Sequence, residues 1–242
     1  PAVVSEIAAL RPDILVVAAY GQFLPRALLE LPPLGAINVH PSLLPRYRGA
    51  APIQWAIANG ERETGVSIVF MTERMDAGDV IVSERVAIGD EDTALTLTPR
   101  LAEVGARLLA VALEAVRSGH PPRIPQDERL VTLAPKLTKE DGRIVWMRPA
   151  EQIRNRVRGF QPWPGAYFDW PRRGWTVRVT SSSVEPGDGP PGRVLTADAR
   201  GPLVATGDGA LRLTGLQPEG RRAMTGGAFC AGYRPEPGEQ FA

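Results

Sequence analysis

Ile14-Leu15-Val16-Val17-Ala18-Ala19 is an unbroken apolar run, and Ile37-Asn38-Val39-His40-Pro41-Ser42-Leu43-Leu44-Pro45 opens a second strand that ends in a proline-rich loop. Unbroken apolar runs of this length suit strands buried on both faces, as in a parallel sheet. Between the two runs, Pro25 to Glu30 reads as a short helix with proline in its first turn. Working outward, Val3 to Leu10 reads as the end of a helix and Ile53 to Asn59 as a helix closed by Gly60. Val66 to Met71 and Asp79 to Ile88 are expected as strands around a turn at Met75-Asp76-Ala77-Gly78. A long helix is expected from about Thr93 to Ser118, with Leu101, Leu108, Leu109 and Leu113 mostly at helical spacing and Pro99 in its first turns.

Residues 119–148 are rich in proline and charge and read as a linker, with Leu130-Val131-Thr132-Leu133 a small strand candidate. Glu151 to Phe160 is expected to be a helix. Beyond Ala166, five short strand candidates alternate with Gly/Pro turns, which suits a small barrel. The expected organisation is an α/β domain over 1–118, a linker over 119–148 and a β domain over 149–242. A chain that opens inside a helix before a buried strand is expected to lack earlier strands. Two βαβ units would be roughly 60 residues or more. The start, Pro1-Ala2-Val3-Val4, has no Met, no basic lead and no long apolar core, and reads neither as a signal peptide nor as a natural start.

Bulk properties exclude several classes. The chain has 242 residues and a net charge of +1, so global charge gives no sign of nucleic-acid binding. Locally, residues 151–178 hold 6 arginines against 2 acidic residues, a patch that could meet phosphate or simply be solvated. The lone cysteine, Cys230, allows no internal disulfide, which suits the cytoplasm. It has no base beside it in sequence. Two scattered histidines and one cysteine give no metal-ligand spacing, so no metal is expected. No apolar run reaches the roughly 18 residues of a membrane helix, so no membrane partner is expected.

The chemistry concentrates at Asn38 and His40. Strand residues two apart point to one face, so these side chains project together at the carboxyl end of their strand, where open α/β sheets bind ligands. An amide beside an imidazole can serve an oxyanion and a proton. Asp76, on the turn between the next two strands, could close onto the same spot and orient the imidazole. An Asp-Ala-Gly turn is also ordinary turn chemistry. The other histidine, His120, sits between Gly119 and two prolines and reads as an exposed linker residue.

Asn38-Val39-His40-Pro41-Ser42-Leu43-Leu44-Pro45, Arg46-Tyr47-Arg48-Gly49-Ala50-Ala51-Pro52-Ile53, Thr64-Gly65-Val66 and Met75-Asp76-Ala77-Gly78-Asp79 come in order along the chain. This series resembles the formyltransferases that use 10-formyltetrahydrofolate. Several further pieces are similar to the methionyl-tRNA branch: Val16 to Gly21, Ala134-Pro135-Lys136-Leu137, Ile144-Val145-Trp146 and Leu216 to Met224. Val145 departs from the branch, which usually has an acidic residue before the tryptophan.

The resemblance implies an incomplete formyltransferase-type α/β parallel-sheet domain followed by a small OB-like β-barrel domain. It implies transfer of a formyl group from 10-formyltetrahydrofolate, a co-substrate, to the methionyl amino group of initiator methionyl-tRNA, for translation initiation. Asn38, His40 and Asp76 would be catalytic, with the choice of proton carrier between His40 and Asp76 left open. Ser42, Leu43, Leu44 and Pro45 would shape a folate wall, although core packing explains Leu43 and Leu44 equally well. The backbone from Met75 to Asp79 would meet the pterin edge. Tyr20 and Gly21 could line the same crevice, or Gly21 could serve a turn alone. For tRNA the candidates are Arg154, Arg158, Arg172, Arg173, Arg221 and Arg222, with Arg156 beside them, since phosphate contacts need only such cations. The expected protein is a cytoplasmic monomer without DNA or metal. The family's opening portion carries early sheet strands and a basic loop that reaches the tRNA acceptor end. Inactivity of the chain as it stands is therefore among the expectations. The alternatives are another folate-dependent transformylase, a folate hydrolase, or a non-catalytic RNA-binding module.

Overall fold

A computed structural model describes residues 2–242, and the chain divides into two compact units. The first comprises Pro1–Ala56, Arg62–Gly89 and Thr96–Lys136; the second comprises Ile57–Glu61, Asp90–Leu95 and Leu137–Ala242.

The elements run α1 (Ala2–Ala9), β1 (Leu15–Ala18), α2 (Arg26–Leu29), β2 (Ala36–His40), β3 (Arg48–Gly49), α3 (Pro52–Ala58), β4 (Glu63–Phe70), β5 (Val80–Ala87) and α4 (Ala94–Arg117). In the first unit a four-stranded sheet has the order β1-β2-β4-β5. Only β1 and β2 are parallel, with Val17 opposite Asn38; β2 against β4 and β4 against β5 are antiparallel. The sheet is therefore mixed, because β4 returns beside β2 and a hairpin adds β5. Its core is Ile37, Val66, Ile68, Val69 and Ile81 against Leu97, Leu101, Leu108, Ala112 and Val116 of α4. With the buried Gly105 between Leu101 and Leu108, those helix positions recur at three- and four-residue spacing and make one face. Leu109 and Leu113 lie at its margin, half-buried. Gly105 is the point of closest approach, since a Cβ there would stand 2.9 Å from Val39 Cγ1.

Within the described residues, Ile14 to Ala19 is not covered on both faces. β1 is the sheet edge, its residues alternate between half-buried and exposed, and Val16 is 41% exposed. An apolar run reports β-propensity and capacity for burial, not which of its faces is covered.

The stretch after α4 is structured. Ile124 bridges Val80, and β6 (Leu133–Ala134) pairs in parallel with β3. Both contacts lie within the first unit. No helix of the described residues is long and apolar enough to cross a membrane.

The second unit holds α5 (Ala150–Gly159), β7 (Ala166–Trp170), β8 (Trp175–Glu185), β9 (Val194–Asp198), β10 (Gly201–Ala205), β11 (Ala210–Pro218), β12 (Met224–Thr225) and α6 (Gly226–Tyr233). Its antiparallel sheet runs β7-β8-β11-β10-β9, with β12 on β11. Register shifts between Leu213 and Leu216 and at Leu203/Val204 bend these strands, as bulges do. Trp170, Phe168, Phe229 and Phe241 fill the core; Phe168 stacks on Phe241 at 4.4 Å between ring centroids. Ala150, Ile153 and Val157 give α5 its buried face. Thr225 caps α6, its hydroxyl accepting from the Ala228 N–H at 3.2 Å.

One charge lies deep in this unit. Arg212 is 2% exposed and donates to Glu185 at 2.9 and 3.1 Å and to the Gly201 carbonyl at 2.7 Å. The hydrogen bonds from this guanidinium hold the Glu185 carboxyl below its usual range. A depressed carboxylate stabilises the fold above its unfolded value, and that contribution is lost as pH falls through the folded value. Arg212→Met, which keeps the volume and drops the charge, is expected to make the thermal stability of the chain less sensitive to acid in the window below about pH 4.3, the ordinary glutamate value. Melting curves across that window test this; an unchanged slope would count against the Glu185 pair as its source.

Candidate active site

β2 ends at His40 inside the first unit, and the period-two rule places Asn38 and His40 on one face. The structure brings Asp76 to both. Asn38 Nδ2 donates to Asp76 Oδ1 at 3.3 Å, and His40 Nδ1 lies 3.6 Å from Asp76 Oδ2. The Gly49 N–H donates to Asp76 Oδ2 at 2.9 Å. Asp76 stands at φ 51°, the left-handed region, where Asp is better tolerated than most side chains.

His40 is buried, and its Nε2 lies 3.0 Å from the Tyr47 carbonyl oxygen. A carbonyl only accepts, so this network assigns the hydrogen to Nε2. Nδ1 then carries the lone pair in the neutral ring and faces the carboxylate. A proton arriving between them is bound from both sides. Asn38 spends one amide hydrogen on Asp76 and keeps a second to donate. The set can therefore offer a hydrogen bond to a developing anion and lodge a proton beside it.

A small cleft of about 20 Å³, room for about one water, is lined by Asn38, Val69, Phe70, Met71, Thr72 and Asp76. A groove of about 680 Å³ shares Phe70, Met71 and Thr72 with it and continues past Ala36, Gly78 and Asp79. That is within the usual range for small-molecule sites. Asp79 thus lines a hollow, paired loosely with Arg123 at 3.7 Å.

The other candidates fall in varied surroundings. Ser42 is fully buried, and its hydroxyl donates to the Arg46 carbonyl at 2.6 Å, so it shapes the loop from within. Leu43, Leu44 and Pro45 are half-buried along the same loop. Tyr20 is 53% exposed after β1, and Gly21 takes a positive φ there.

In the second unit, Arg154 donates to Glu91 and to the Asp90 carbonyl, both at 2.7 Å. Arg158 donates to the Asp92 carbonyl and Asn155 Oδ1, both at 2.7 Å, and burial lowers the pKa of its guanidinium. Arg172 pairs with Glu239 and, at 3.1 Å, with Glu236; Arg173 donates to the Tyr233 carbonyl at 3.0 Å. Arg221 and Arg222 are exposed on the turn between β11 and β12. Burial pushes the Cys230 thiol up to about 11, so it stays protonated at neutral pH.

Sequence reading missed two residues that build the site from behind. Arg48 is buried and its guanidinium meets Gln126, whose amide holds the carbonyls of Asp76 and Gly78. The one available signal was an arginine at the head of a small, apolar stretch, Gly49-Ala50-Ala51-Pro52-Ile53.

The chain is similar to known proteins along most of its length. A model described as formyl transferase matches residues 1–113, and one described as formyl transferase, C-terminal domain, matches residues 136–234. The chain is 48% identical over 241 residues to a methionyl-tRNA formyltransferase of Carboxydothermus hydrogenoformans, covering 99% of this chain and 78% of that protein. A protein of the same name from Anaeromyxobacter dehalogenans is 48% identical over 235 residues, covering 95% of this chain and 75% of its own length. Among solved structures, HypX from Aquifex aeolicus in complex with tetrahydrofolic acid superposes with a TM-score of 0.71. It is 24% identical and covers 98% of this chain and 42% of its own, a likeness of fold alone.

Proposed function

The chain belongs to the formyl transferase family, and from that premise we propose that it moves a formyl group from 10-formyltetrahydrofolate to the amino group of methionine on initiator tRNA. The observation that carries this reading is the meeting of Asn38 and His40 at the Asp76 carboxylate, with Asn38 and Asp76 lining a small cleft and His40 buried behind it. Attack of the amine on the formyl carbon places negative charge on the former carbonyl oxygen. The second N–H of Asn38 donates to that oxygen. The amine loses a proton as the new C–N bond forms, and the folate nitrogen leaves better when protonated. The His40–Asp76 pair is where that proton is held between the two events. The folate lies in the groove past Ala36, Gly78 and Asp79, with its formyl end at the Asn38 cleft. Tyr20, Gly21 and the Ser42–Pro45 loop line neither hollow; they follow the carboxyl ends of β1 and β2, and a folate contact there is a separate part of the proposal.

The direct test is formylation of charged initiator tRNA by the full-length protein. Release of formate without formyl-methionine would instead mark a hydrolase, with water in place of the amine. We assign the folate site to residues 1–118 and the tRNA surface to residues 149–242. The reading places the protein in the cytoplasm as a monomer that engages tRNA, not DNA.

Among the arginines considered for tRNA, Arg221 and Arg222 are the exposed pair with no acidic neighbour described at their side chains. Arg154, Arg158, Arg172 and Arg173 would have to share their hydrogen bonds with protein acceptors. The double change Arg221→Ala, Arg222→Ala is expected to weaken tRNA binding and to reduce the slope of log affinity against log salt by about 1 to 2. Binding titrations at several salt concentrations measure both; an unchanged slope would remove this turn from the interface.

A further inference from the structure

The segment after α4 crosses behind the turn that carries Asp76. Ile124 and Val80 exchange backbone hydrogen bonds at 2.9 and 3.0 Å. Two residues on, Gln126 Nε2 donates to the Asp76 carbonyl at 2.8 Å and to the Gly78 carbonyl at 2.7 Å. On its other side, Gln126 Oε1 accepts from Nε and Nη2 of Arg48 at 3.0 and 2.8 Å. Arg48 is 5% exposed and is further fixed by Glu128 at 3.1 Å.

These bonds close a ring. The side chain of Arg48 reaches the backbone of Asp76 through Gln126. The backbone N–H of the next residue, Gly49, reaches the Asp76 carboxylate directly at 2.9 Å. Asp76 is therefore gripped at its main chain and at its side chain from one short piece of β3. A left-handed residue persists where its surroundings determine it, and this ring supplies them. The middle of the ring needs a group that accepts from a guanidinium and donates to two carbonyls. Only a carboxamide does both at this length: a carboxylate cannot donate, and a cation cannot accept.

We propose that Gln126 is a positioning residue for the transfer reaction, fixing the Asp76 turn so that its carboxylate meets Asn38 and His40 at reacting distance. The proposal rests on the reading of Asn38, His40 and Asp76 as the reacting set. It gives the region between the expected domains a task in the chemistry of the first unit, with no substrate contact of its own.

Gln126→Glu keeps the size and the acceptor side, and removes both donors. In the full-length enzyme it is expected to lower kcat about 10- to 100-fold, the usual scale for a displaced catalytic group. KM for the charged tRNA should stay within about 2-fold. In an Asp76→Asn background the same change should add little, because the two act as one unit. A second readout needs no activity: exchange of the Gly49 amide hydrogen, which is held by the Asp76 carboxylate. It should quicken about tenfold or more, while Ile68 in β4 keeps its protection. Gln126→Met, which lacks the carboxamide altogether, should give the same pattern. Unchanged kcat, an equal loss in the Asp76→Asn background, or a parallel rise at Ile68 would each overturn the proposal. If the unaltered protein transfers no formyl group, the functional reading fails, and Gly49 exchange still decides whether Gln126 holds the turn.

Discussion

Replacing Asn38 by alanine is expected to slow single-turnover formyl transfer about 100- to 1,000-fold, the usual cost of one lost oxyanion donor. Among the described donors around Asp76, none stands free to replace the second Asn38 N–H proposed to meet the oxyanion: His40 Nε2 is committed to the Tyr47 carbonyl, and the Gly49 N–H is committed to Asp76. Folate and tRNA affinity should change far less, because the oxyanion exists only along the reaction path. The fold should tolerate the change. Asn38 is only partly buried, and its one described partner is Asp76 at 3.3 Å. Rates with saturating folate and charged tRNA, alongside a melting curve, separate the two effects. A near-normal rate would remove Asn38 from the mechanism.

Asp76→Asn is expected to be at least as damaging. Asparagine suits a turn as well as aspartate does, so a purely structural Asp76 would tolerate it. The structure gives a sharper reason for failure. Oδ1 accepts from Asn38 and Oδ2 accepts from Gly49, so both carboxylate oxygens face N–H donors. An amide supplies one acceptor. Whichever way it turns, its NH₂ meets a donor, and either Asn38 or the Gly49 backbone is displaced. The charge beside His40 Nδ1 is lost as well. The measurement is the single-turnover rate at saturating substrates. A rate close to that of the unaltered enzyme would leave Asn38 and His40 as the working pair and reduce Asp76 to a turn residue.

The proposed reacting set was singled out in sequence by the ordered motifs that resemble the formyltransferases, and its meeting was legible because each step is local. Period-two alternation brings Asn38 and His40 to one face within three residues, and Asp76 sits on a hairpin turn whose strands pair back onto β2. The short strands of the second unit were legible for the same reason, since Gly/Pro turns punctuate them. Which faces are covered within these 242 residues was not. Nor was the ring through Arg48 and Gln126, which joins residues 78 apart in sequence through side chains that could equally have faced solvent. The arginines of α5 show the same limit. Their spacing marks a basic helix face, but the acceptors at Asp90, Glu91 and Asp92 come from more than 60 residues earlier, and no pattern near Arg154 announces them.

Gly105 has a bearing on how such a sequence can drift. Val39, the residue between Asn38 and His40, faces away from them and rests against the helix at the one place where that helix has no side chain. Val39 is β-branched and stiff, so a methyl group added at 105 could not be absorbed by a rotamer change. It would act as a wedge under the strand, and both reactive side chains would move together, in the same direction. The permissible alphabet at a position buried in the hydrophobic layer is thus set by chemistry on the opposite side of the sheet. A library varied only at residues that line the cleft would never sample this coupling, whereas one varied at the helix face would find it as loss of rate in well-folded protein.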